Sequence, residues 1–143
     1  FFNHAVQVWR PQMEKATPDV KEDLKKDLDA LAASGTTYTL GALREAFVLA
    51  GVPEAGAQSK PITGKKGLNV DTIYLLSDGG PTDNKMDDAQ PMDPEIILEA
   101  VRQWNRDAGI IIHTIAVDTE PVGTYFLKQL AAQNGGQFAE RRK

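Results

Sequence analysis

Two short stretches hold the residues best suited to chemistry. The first is Thr72 to Ser77 (TIYLLS), followed by Asp78, Gly79, Gly80, Pro81 and Thr82. A nearly continuous apolar run of this length has the pattern of a central strand covered on both faces. An aspartate directly after it projects from the strand's carboxyl end, the edge of an open parallel sheet where ligands bind. The two glycines let backbone approach a ligand closely; the plainer alternative is that Asp78 only stabilises the turn through its own side chain. The second stretch is Gly35-Thr36-Thr37-Tyr38-Thr39, just ahead of a helical pattern. One hydroxyl there is expected to cap that helix, and capping competes with metal ligation as the reason for the cluster.

The segment from Asp78 to Asp93 also carries Asp83, Asp87 and Asp88, against Lys85 alone. Carboxylates at this density favour hard cations such as Mg²⁺, Ca²⁺ or Mn²⁺, which take oxygen ligands. The spacing does not match an EF-hand loop, whose glycine and terminal glutamate fall elsewhere. Acidic loops are ordinarily just solvated, so Asp78 alone is assigned a metal role.

Composition narrows the chemistry further. The chain has 143 residues, 41% hydrophobic and 25% charged, which suits one ordinary domain with a real core. A net charge of −4 argues against a nucleic-acid module or binding to an anionic membrane surface. Cysteine is absent, which excludes thiolate sites and disulfides, and histidine occurs only as His4 and His113, which argues against a histidine-rich metal cage. His113, inside an apolar run, is expected to be a hydrogen-bonded core or strand-end residue rather than a base, and His4 to be exposed. Trp9 and Trp104 are expected to pack in the core or at its edge.

The elements that must position these residues follow from periodicity. Ala5 to Trp9 alternates like a short strand, with Asn3-His4 as a hairpin turn before it. Thr17-Pro18-Asp19 starts a helix in which Val20, Leu24, Leu28 and Leu31 form the dry face and the intervening charges the wet one. A second helix is expected from about Thr39, with Leu40, Leu43, Phe47 and Ala50 inward. The glycine- and lysine-bearing stretch 51–70 reads as a long loop or insertion. Its Gly64-Lys65-Lys66 is no phosphate loop, because no strand precedes it and no Ser or Thr follows the lysine. A helix begins at Asp93-Pro94-Glu95, a second buried strand covers Ile110 to Val117, and a last helix runs from Thr124 to Asn134 before Gly135-Gly136 and a short strand at Gln137 to Ala139. Strands alternating with helices predict an α/β fold: a Rossmann-like, open, mostly parallel sheet flanked by helices, with residues 1–143 in one domain.

The ordered set GTTYTLGAL before a helix, LLSDGGPT at a strand end, HTIAV, and FLKQLAAQNGGQF resembles the von Willebrand factor A (VWA) domain family over nearly the whole chain. The resemblance implies a metal-ion-dependent adhesion site, the MIDAS, in which a D-x-S-x-S motif after the first strand, a threonine and an aspartate hold one divalent ion. The threonine falls on Thr37, with Thr36 as the register alternative, and the aspartate on Asp78. No D-x-S-x-S occurs in these residues. Phe1-Phe2 resemble the end of the family's second strand, which implies that the first strand and its ligands lie before residue 1 and that the metal site is incomplete here. The implied function is recognition without turnover: Mg²⁺, or Ca²⁺ or Mn²⁺, accepts an acidic residue from a partner protein. The resemblance also points to an extracytoplasmic or cell-envelope setting. Two other readings stand beside it. One is a Mg²⁺-dependent phosphotransfer or hydrolase domain built on Asp78, with Asp118 and Lys85 as its other charged groups but without recognisable spacing. The other is a degenerate interaction domain that binds no metal.

Overall fold

The computed structural model describes residues 1–31, 35–53, 68 and 70–142. In chain order these form α1 (Pro18–Ala30), α2 (Thr39–Ala50), β1 (Thr72–Ser77), α3 (Pro94–Asn105), β2 (Ile111–Val117), α4 (Pro121–Gln133) and β3 (Phe138–Arg141). The three strands make one sheet in the order β1-β2-β3, and both pairings are parallel. The fold class is therefore α/β with a parallel, Rossmann-like sheet, as the alternation of elements predicted. Most of the 51–70 connection, and all of Gly64-Lys65-Lys66, lies outside the described residues.

Local chemistry explains the helix starts. Thr17 caps α1 by accepting from Val20 N, and Asp93 caps α3 by accepting from Glu95 N. Each is followed by a proline, whose missing N–H costs nothing in the first turn. Pro121 begins α4 in the same way, three residues before the Thr124 expected from its apolar spacing. Gly135, at φ +67°, lies just past the helix end, as expected.

The core lies between one sheet face and one layer of helices. Leu75 of β1 and Ile112, Thr114 and Ala116 of β2 are buried, as are Leu43 and Phe47 of α2, Ile97 and Val101 of α3, and Phe126, Leu127 and Leu130 of α4. The buried Thr114 hydroxyl donates to Leu127 O at 2.8 Å, so this polar side chain of β2 is satisfied by α4. Trp104 packs on this core beside Phe47, with ring centroids 5.7 Å apart, and supports the Arg44 guanidinium on its face. His113 accepts from Gln137 N at 3.0 Å and stacks on Tyr74, so it is hydrogen-bonded as expected, but it sits half-buried within β2 and not in the core or at the strand end.

Several expectations are corrected. First, TIYLLS is neither central nor covered on both faces. It is an edge of the sheet among the described residues, with Tyr74 71% and Leu76 58% exposed. The physical reason is that α2, α3 and α4 stack in a single layer on the opposite face, leaving only alternate residues of β1 and β2 fully buried. Second, the apolar stripe of α1 is not a dry face. No residue of that helix is buried, and Leu28 and Leu31 remain 47% and 45% exposed. Its polar side carries exposed Glu22–Lys26 and Lys25–Asp29 pairs, which add little stability. Third, Ala5 to Trp9 forms no strand; a single antiparallel bridge joins Phe2 to Val6, with Asn3-His4 at the turn between them. His4 is half-buried rather than exposed, because Gly35 packs beside its ring.

Between residues 1–24 and the edge of β1 runs an apolar groove of about 550 Å³, lined by Phe2, Val6, Val8, Leu24, Leu43 and Leu75 among others. An apolar edge strand beside such a groove lacks the charges, prolines and bulges that normally protect sheet edges. The isolated 143-residue chain is therefore expected to unfold broadly, without the sharp transition of a fully covered domain. Scanning calorimetry decides this: a narrow transition with equal calorimetric and van't Hoff enthalpies would show that groove and edge need no cover.

Candidate functional site

The carboxyl ends of β1 and β2 lie at the same rim, because Ser77 pairs in register with Ala116. Asp78 follows immediately and is exposed. Its carboxylate makes no hydrogen bond or ion pair with the described residues, so it does not hold the turn. That task falls to the buried Ser77, whose hydroxyl accepts from Gly79 N at 3.4 Å and donates to Gly79 O at 3.3 Å. Of the two readings open for Asp78, the structural one therefore has no support in the turn itself.

Thr37 reaches the same corner. A Cβ at Gly79 would lie 2.9 Å from Thr37 Oγ1, closer than side chains normally allow, so the absence of a side chain at 79 lets the hydroxyl approach. Helix capping does not use this hydroxyl. The N-cap of α2 is Tyr38, which makes no side-chain capping bond, so the expectation that one hydroxyl of the cluster caps the helix is wrong. Instead, Thr39 Oγ1 donates to Thr37 O at 3.3 Å and Thr36 Oγ1 to Lys85 O at 3.4 Å. The reason is local: the turn folds back on its own carbonyl, and Thr39 N also donates to Thr37 O at 2.8 Å. The two register candidates thus part company, with Thr36 turned to the acidic loop and Thr37 to Gly79.

Sequence reasoning missed the residues that brace the corner. Thr37 N donates to Thr82 Oγ1 at 3.0 Å, and Thr82 N donates back to Thr37 O at 2.9 Å. Thr119 Oγ1 donates to Ser77 O at 3.3 Å across from β2. Gly123, in the first turn of α4, packs against the same peptide: a Cβ there would lie 3.0 Å from Gly79 O. The only sequence signals were a threonine in GGPT and a glycine four residues after Thr119, both too common to single out. Asp118 follows β2 directly and so lies at this rim too; its backbone is left-handed at φ +51°, and its N–H donates to Arg141 O at 3.0 Å.

Three of the other acids of the loop have structural work. Asp83 Oδ1 accepts from Lys85 N at 3.1 Å and Gln90 N at 3.2 Å, and its other oxygen lies 3.5 Å from Lys85 Nζ. Asp88 accepts from Gln90 Nε2 at 2.9 Å, and Asp93 caps α3. Among the described residues no three His, Asp or Glu side chains gather into a metal-binding group. The two donors expected from the sequence, the Asp78 carboxylate and the Thr37 hydroxyl, are hard oxygen ligands of the kind Mg²⁺ accepts but too few to complete its shell.

No family model matches the chain. A human protein, von Willebrand factor A domain-containing protein 3B, is 27% identical over 138 residues, 96% of this chain. The chain spans 8% of that relative's length. The parallel α/β sheet and this similarity together support a VWA-like domain. No helix among the described residues is long and apolar enough to cross a membrane.

Asp83 carries a pH dependence. Partial burial tends to raise its pKa, but the Lys85 and Gln90 amides and the Lys85 ammonium outweigh this and hold it below the ordinary aspartate value. A carboxylate with a depressed folded pKa stabilises the fold fully above its unfolded value, about 3.9, and that stability is lost as pH falls through the folded value. Protection factors of the Lys85 and Gln90 amides, taken relative to their intrinsic exchange rates, should accordingly be high at neutral pH and fall selectively below about pH 4. Asp83→Asn should abolish the pH dependence of that protection; persistence of the same acid step in the variant would assign it to another group.

Proposed function

We propose that this domain is a protein-interaction module that recognises an acidic side chain of a partner through a divalent ion, with Thr37 and Asp78 as two of the ion's ligands. The observation that carries the reading is a pair of oxygens without a hydrogen-bond partner among the described residues: the exposed Asp78 carboxylate, and the Thr37 hydroxyl that approaches Gly79, the next residue, and neither caps a helix nor bonds a carbonyl. Further oxygen donors from elsewhere in the full-length protein complete the shell. A bound ion with few carboxylates around it remains under-neutralised and supplies a Lewis-acidic position for a partner's Asp or Glu.

The chain's own residues define the rest. Asp78 contributes charge, Thr37 a neutral oxygen, and the absence of a side chain at Gly79 leaves room for the Thr37 hydroxyl. Magnesium suits this set, because it is held by one or two carboxylates with several waters at about 2.0–2.1 Å. Ca²⁺ and Mn²⁺ draw on the same oxygens. The braced backbone matters as much as the donors, since a preorganised site loses less entropy on binding.

Asp78→Ala is expected to abolish Mn²⁺ binding by the full-length protein, followed by calorimetric titration, while its unfolding temperature stays within a few degrees of wild type. Binding of Asp- or Glu-bearing peptides should vanish in EDTA, return with Mg²⁺, and be absent for the Asn and Gln versions. Peptide binding that survives both EDTA and Asp78→Ala would sink the metal-dependent reading and leave a metal-free interaction domain.

A further inference from the structure

The Thr37 hydroxyl can serve a ligand only if the peptide carrying it stays put, yet that peptide belongs to a turn between helices, not to the sheet. We infer that Thr82 is the positioning residue that fixes it, a role that rests on the metal reading proposed above. The two threonines are 45 positions apart and clasp each other reciprocally: Thr37 N–H donates to Thr82 Oγ1, and Thr82 N–H to Thr37 O. Thr39 N and Thr39 Oγ1 converge on the same Thr37 oxygen. Both backbone polar groups of Thr37 are thereby used, and its side-chain oxygen is the one left facing Gly79.

Thr82 can do this because it is itself held on both sides. Its hydroxyl has one proton and two lone pairs. The proton goes to Asp83 O at 3.2 Å, and one lone pair takes the Thr37 N–H. Across the loop, Thr82 forms an antiparallel bridge with Pro91; Met92 N donates to Pro81 O at 2.9 Å and Asp83 N to Gln90 O at 3.0 Å. The returning strand of this small clasp leads directly into Asp93, the cap of α3. Thr82 is also four residues from Asp78 on a chain whose start is fixed by β1. One residue thus ties the threonine turn, the aspartate corner and the start of α3 into a single geometry. Valine at this position has nearly the same shape but cannot accept the Thr37 N–H; serine can.

The test uses the full-length protein with Mn²⁺ as the probe and hydrogen exchange as an independent readout. Thr82→Val should weaken Mn²⁺ binding on the order of tenfold, the scale of lost outer-shell support at metal sites, and speed exchange of the Thr37 amide. Thr82→Ser should restore both. Should Thr82→Val fail to fold, Thr82→Ala carries the same loss of acceptor. Wild-type affinity in a folded Thr82→Val or Thr82→Ala protein overturns the assignment, as does an equal loss in Thr82→Ser, which would place the effect in the methyl group. Asp78→Ala separates the two ideas. If it abolishes Mn²⁺ binding while Thr82→Val does not, only the positioning role falls; if wild type and both variants behave alike toward Mn²⁺, the metal reading falls and takes this role with it.

Discussion

Six residues of β1 lie opposite six of β2 in parallel, from Thr72 beside Ile111 to Ser77 beside Ala116. This register is the constraint on which the rest depends. Parallel strands bring their carboxyl ends to one rim, so whatever follows them in sequence is delivered to the same place. Asp78 and Asp118 each come immediately after a strand, and Thr119 reaches back to Ser77 O across the seam. A slip of one residue would move the buried Leu75 and Ser77 to the open face and Tyr74 and Leu76 into the core. The buried Thr114 also opposes slippage, because its hydroxyl would lose Leu127 O.

Among the described residues, the same sheet is finished on one side only. Helices α2, α3 and α4 form a continuous apolar layer over Leu75, Ile112, Thr114 and Ala116, while Tyr74 and Leu76 face outward beside the half-buried His113 and Ile115. The apolar groove beside β1 continues this unfinished surface toward the first helix. Such a surface is more hydrophobic than a solvated edge ordinarily is. The rim and the core are well built, in contrast, and the proposed site stands on them.

Acidic residues at the rim illustrate how charge divides between structure and function. Five aspartates between 78 and 93 look equivalent in sequence, yet three of them close a loop or cap a helix. Asp78 differs because the buried Ser77 hydroxyl has taken over the turn it would otherwise stabilise. The threonines divide in the same way. Thr36 and Thr39 bond to carbonyls, Thr82 and Thr119 brace, and Thr37 is left with its oxygen toward Gly79.

The sequence by itself determined the alternation of helices and strands, the parallel sheet, the Thr17 and Asp93 caps and the place of Asp78 at a strand end. Those features follow from short-range causes: 3.6-residue spacing, apolar runs, side-chain capping and proline's fixed φ. It also brought Thr37 forward, through its resemblance to the VWA pattern. Only the tertiary structure decided which hydroxyls are spent, that the α2 cap is Tyr38, that TIYLLS is an edge open on one face, and that Thr82, 45 residues away in the chain, clasps Thr37. An apolar run announces that a strand could be buried, but what lies against it is set by neighbours distant in sequence. A hydroxyl's role likewise depends on which carbonyl or N–H the folded chain brings within three ångströms of it.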